Sequence, residues 1–133
     1  MANKMFISYH SDLEGTQYKN LLVAWSKNDS NHFDITFDDQ SVGVSINSTN
    51  ATYIKSVITG KIRNSNTFLC LVGENTHKSD WVSWEIAKAV ELNKKIVAVK
   101  ISNSYTSPSN LLNVGASWAK SFTYEAIKKA IEG

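Results

Sequence analysis

The segment Ser79-Asp80-Trp81-Val82-Ser83-Trp84-Glu85-Ile86 holds the densest potential chemistry in the sequence. On a helix, Trp81 and Glu85 are four residues apart and share one face, with Trp84 beside them. A carboxylate flanked by two indoles suits a cationic or aromatic ligand. The rings offer stacking and cation–π contact, while burial tunes the acid. The same residues also admit a plainer reading, in which Glu85 pairs with Lys88 on a solvated face and the two tryptophans fill core. Val82, Ile86, Ala89 and Val90 form a different stripe, apolar and able to pack on a sheet.

Other chemistries lack their residues. The chain has no GxGxxG turn to bring backbone against a dinucleotide, and no GxxxxGK[ST] loop to cradle phosphate. Its three histidines, His10, His32 and His77, and its one cysteine, Cys70, show no metal-ligand spacing. No serine lies in a GxSxG strand-to-helix turn. A phosphoacceptor receiver would need an acidic pair after the first strand and an aspartate after the third. Here His10-Ser11-Asp12 follow the first strand, Gly73-Glu74 follow the third, and the acidic pair Asp38-Asp39 follows the second.

The elements that must position these groups alternate along the chain. Met5 to Tyr9 reads as a buried strand running into a polar loop. Tyr18, Leu21, Leu22 and Trp25 follow helical spacing. Phe33, Ile35 and Phe37 alternate with polar residues, the pattern of a half-buried strand suited to a sheet edge. After the Ser-, Asn- and Gly-rich loop 39–50, Tyr53, Ile54, Val57, Ile58 and Ile62 predict a helix over 49–63. Thr67 to Val72 is the central strand, Ser79-Asp80 cap a helix from Trp81 to about Asn93, and Ile96 to Val99 is a further strand. Residues 102–110 form a polar loop, followed by a short strand near 118–122 and a helix over 124–131. Such alternation predicts an α/β fold of three layers, a mostly parallel sheet of four to five strands with helices on both faces. Ligands bind such sheets beyond the carboxyl ends of the strands.

With 42% hydrophobic and 20% charged residues, one proline and six glycines, 133 residues read as one folded domain over 1–133. Fourteen basic residues against twelve acidic ones leave +2, which argues against nucleic-acid or membrane-surface partners. The apolar runs are far below the ~20 residues of a bilayer span, and no signal peptide is visible. A lone cysteine fits a reducing cytoplasm.

FISYH at the start, the helix Tyr53 to Arg63 followed by Ser65, then TFLCLVGENTHKSDWVSWEIAKAV and KIVAVKI, together resemble a TIR-like domain. More narrowly, they resemble the TIR-like subunit of bacterial Thoeris anti-phage systems, over roughly Lys4 to Ile101. The resemblance implies a flavodoxin-like fold and cleavage of NAD between nicotinamide and ribose, with cyclisation of ADP-ribose in some relatives. It assigns Glu85 as the catalytic glutamate, with Trp81 against the substrate and Phe6, Ser8 and Tyr9 lining the site. Asp38 and Asp39 fall in the loop that closes over nucleotide. NAD is then substrate, with no metal or other cofactor. Implied partners are a second copy of the chain and a separate effector that answers to the nucleotide product. The alternative is a non-catalytic TIR-like interaction module.

Overall fold

The computed structural model describes residues 4–26, 34–36 and 46–132. The strands are β1 (Lys4–Ser8), β2 (Asp34–Thr36), β3 (Thr67–Val72), β4 (Lys95–Lys100) and β5 (Ser117–Ala119). Between them run α1 (Leu13–Ser26), α2 (Thr49–Arg63) and α3 (Asp80–Glu91), and α4 (Tyr124–Glu132) follows β5. The five strands form one sheet in the order β2-β1-β3-β4-β5, and every pairing is parallel. This is a flavodoxin-like arrangement. Chain order reverses direction across the sheet between β1 and β3, so the crevice at the ends of those two strands is the switch point.

β3 is central because its sequence TFLCLV can be buried on both faces, and all six residues are buried. The period of two sorts neighbouring side chains into two cores. Met5, Ile7, Leu69, Leu71, Val97 and Val99 meet Leu22 of α1 and Ile127, Ala130 and Ile131 of α4. On the other side Phe6, Phe68, Cys70, Val72, Ile96 and Ala98 meet Ile58 and Ile62 of α2 and Val82, Ile86 and Ala89 of α3.

The helices begin where side-chain acceptors are available. Ser48 Oγ accepts the Ala51 N–H at 3.3 Å and Ser79 Oγ accepts the Val82 N–H at 3.2 Å, relieving two first-turn donors. Three residues counted into apolar faces lie outside them. Leu21 is 44% exposed, Tyr53 73% and Val90 39%, each one position off the stripe that meets the sheet. The strand expected near 118–122 is Ser117–Ala119, two residues shorter than that span. Of the expected edge strand, Asp34–Thr36 pairs outside β1, while Phe33 and Phe37 lie outside the described residues.

Phe68 is fully buried and stacks on Phe6, with ring centroids 5.7 Å apart and planes 10° from parallel. Phe68→Ala removes a ring that neighbours on a central strand cannot replace. It is expected to cost about 3–5 kcal/mol, read as a lowered urea midpoint.

Candidate functional site

Ser8 is the last residue of β1, and strand alternation turns its side chain to the same face as Phe6, toward α2 and α3. Glu85 sits on the second turn of α3, above that strand end. The two meet at the switch point: Ser8 Oγ donates to Glu85 Oε1 at 2.6 Å, joining residues 77 apart in sequence. Ser8 is buried and Glu85 half-buried, so the carboxylate is held at the lip of the sheet rather than free in solvent. Cys70, the register partner of Ser8 on β3, lies beneath. Burial pushes its thiol pKa well up, and the Glu85 charge adds to that shift.

Trp81, one turn earlier, is half-buried and meets Trp84 edge to face, with centroids 6.0 Å apart at 82°. Lys88 forms its ion pair with Glu91 at 3.0 Å. The other anticipated residues divide. Phe6 is 1% exposed in the stack with Phe68, so it forms the floor under Ser8 and presents no surface to a ligand. Tyr9 packs with the core on the opposite face of the sheet, under the Lys19 ammonium at 5.7 Å. Adjacent strand residues point to opposite sides, so Tyr9 cannot share the side on which Ser8 meets Glu85. Asp38 and Asp39 lie outside the described residues. Among the described residues no three His, Cys, Asp or Glu side chains gather as metal ligands. None of the described helices is long and apolar enough to cross a membrane.

A polar brace around the site has no counterpart in the sequence reading. Glu14, in the first turn of α1, accepts the Glu74 N–H at 2.9 Å through Oε1 and the Tyr105 hydroxyl at 2.8 Å through Oε2. A Cβ on Gly73 would lie 2.7 Å from that Glu14 Oε1, so a larger residue there would push the Glu14 carboxylate aside. Tyr105 packs its ring against the α2–α3 core while its hydroxyl reaches α1. Further along the same loop, Asn110 Nδ2 donates to both the carbonyl and the hydroxyl of Ser83 on α3, each at 2.9 Å. A separate cleft of about 430 Å³ opens at the far edge of the sheet, lined by residues of β5 and α4, among them Trp118 and Lys129, and by Lys120 just after β5.

A parallel 2-1-3-4-5 sheet with one carboxylate fixed over its switch point defines a flavodoxin-like α/β domain with a site at the strand ends. Within that class the chain belongs to the family described as Thoeris protein ThsB, TIR-like domain, whose model matches residues 6–106. Solved structures share the fold. A 2-deoxyribosyltransferase from Bacillus psychrosaccharolyticus superposes with a TM-score of 0.66 at 11% identity, covering 86% of this chain and 84% of its own. A CMP N-glycosidase from Clostridium botulinum gives 0.64 at 9% identity, covering 98% and 99%. A conserved protein from Enterococcus faecalis gives 0.60 at 16% identity, covering 83% and 70%. No curated protein matches the chain in sequence.

The Tyr105–Glu14 bond carries a pH signature. The hydrogen bond to Glu14 is the main cause that raises the Tyr105 pKa, followed by burial and the nearby carboxylate charges. A phenol pKa raised by folding stabilises the fold below the ordinary tyrosine value of about 10, and the contribution fades as pH climbs through the raised value. Tyr105→Phe is therefore expected to unfold at lower urea than wild type at neutral pH, with the gap closing in strongly alkaline buffer.

Proposed function

We propose that this domain cleaves NAD at the bond between nicotinamide and ribose, with Glu85 as the catalytic carboxylate. The observation that carries this reading is the Ser8–Glu85 hydrogen bond at the switch point of the sheet. Membership of the ThsB TIR-like family supports it. So do the names of two fold neighbours, a 2-deoxyribosyltransferase and a CMP N-glycosidase, which refer to chemistry at the sugar of a nucleoside or nucleotide.

The chemistry asks little of the protein beyond a placed negative charge. Nicotinamide in NAD is cationic, so when the C1′–N bond breaks its electron pair neutralises the ring and no general acid is needed. Positive charge develops on the ribose as an oxocarbenium-like centre. An ionised Glu85 stabilises that centre electrostatically or holds the ribose hydroxyls, as the second carboxylate does in glycoside hydrolysis. Ser8 fixes one oxygen of the carboxylate, limiting its rotation. Trp81 supplies an aromatic wall for the leaving ring. Attack by water on C1′ yields ADP-ribose and a proton. In a water-poor site, attack by an adenine nitrogen or another hydroxyl of the same molecule yields a cyclic product.

On this reading NAD is the substrate, and the reaction calls on no metal. The setting is a reducing cytoplasm, a second copy of the chain can complete the site, and a cyclic product acts on a separate effector in anti-phage defence. Glu85→Gln is expected to lower nicotinamide release by about 100-fold or more, the scale for removing a preorganised electrostatic group. Ser8→Ala, which leaves the acid but frees it, is expected to cost about tenfold. Chromatography of the products after incubation with NAD measures both. Equal release by wild type and Glu85→Gln would sink the assignment and favour a non-catalytic interaction module.

A further inference from the structure

We infer that Lys55, held over Trp84, is the residue that binds the diphosphate of the substrate and so selects a dinucleotide over a simple nucleoside. The inference rests on the NAD reading above and extends it along the α2-facing flank of α3. Steps of three and four residues connect Trp81, Trp84, Glu85 and Lys88, which places all four on one flank of α3. Ser83 marks the other flank, bonded to Asn110. The flank carrying Glu85 faces α2, since the Lys55 ammonium, on the second turn of α2, stands 5.8 Å from the centre of the Trp84 ring. Lys55, Trp84, Trp81 and Glu85 therefore line one seam between two helices, with the carboxylate at its inner end against β1.

The charges along that seam match the order of charges in NAD. The inner carboxylate suits the ribose that turns positive, and the diphosphate, joined to the sugar ring through C5′ and its oxygen, carries the molecule's negative charge. Lys88 also stands 5.8 Å from the Trp84 ring, but its ammonium already donates to Glu91 at 3.0 Å. Lys55 has an indole face beneath it, and among the described residues no carboxylate pairs with it. A π-face attracts an ammonium without taking up its N–H donors one by one, so the group is oriented and its outward donors stay available to phosphate oxygens. Half-buried stems also reduce the rotamer entropy lost on binding.

The experiment compares NAD with nicotinamide riboside, which keeps the leaving group and the reacting sugar but has no phosphate. Lys55→Gln is expected to lower the preference for NAD over nicotinamide riboside about tenfold, the scale of one lost charged hydrogen bond, through KM rather than kcat. Lys55→Arg is expected to restore most of that preference, since it returns the positive charge. An unchanged preference, or a parallel fall on both substrates, overturns the inference. Should wild type release nicotinamide from neither compound, the NAD-cleaving reading fails by itself, and calorimetric titration with NAD decides this one. About tenfold weaker binding to Lys55→Gln than to wild type then upholds it, while equal affinity, or no binding to either, overturns it.

Discussion

A carboxylate half-withdrawn from water must find hydrogen-bond donors, and Ser8 supplies one to Glu85. That requirement ties together parts of the chain that share no local sequence. The bond forms only if β1 ends at Ser8, if β1 pairs with β3 in the observed register, and if α3 begins close enough to the strand ends to bring its second turn over β1. Ser79 sets that beginning by capping the helix. Moving the start of α3 by one residue would rotate Glu85 about 100° away from Ser8. The site is thus a consequence of register and capping more than of any single side chain.

The two cores hold that register in different ways. On the α2–α3 side, Phe6 and Phe68 stack directly below Ser8 and Cys70, so the floor of the site is rigid aromatic core. Cys70 is sealed in that floor, where desolvation and the Glu85 charge both disfavour a thiolate. It acts as a small apolar residue rather than as a nucleophile. The α1–α4 side contributes through packing against the opposite face of the same strands, which keeps β1 and β3 from sliding relative to each other.

Much of this was legible in the sequence where a period could be read. The helix over 49–63 and the strand over 67–72 coincide with the residues observed, because long apolar repeats bounded by Ser48 and Asn64 leave little choice. The shared face of Trp81 and Glu85 likewise follows from spacing. The strand period also held information that the resemblance overrode. Phe6 and Ser8 share a parity that Tyr9 lacks, so at most one neighbour of the Ser8–Tyr9 pair could meet Glu85. Burial of Phe6 then follows from its central strand, since an apolar ring two residues inside a buried strand end faces a helix. Glu14, Tyr105 and Asn110 left no such trace. Their partners lie 60, 91 and 27 residues away, and single polar residues in loops or in a helix's first turn have no periodicity to betray a contact.

Those three residues explain how a small sheet keeps its two helical layers in step at the open end. Backbone pairing stops at the strand ends, so beyond them only side chains can fix one loop against another. Tyr105 does this across the sheet edge, with its ring against the α2–α3 core and its hydroxyl on Glu14 of α1. Glu14 in turn holds the turn after β3 through the Glu74 N–H, and that turn leads into the cap of α3. Asn110 closes the circuit on Ser83, two residues from Glu85. Charged and hydrogen-bonded groups of this kind are directional, whereas apolar packing tolerates small slips. A carboxylate held by a single strand-end hydroxyl at the switch point is better kept in place by such a brace than by core alone.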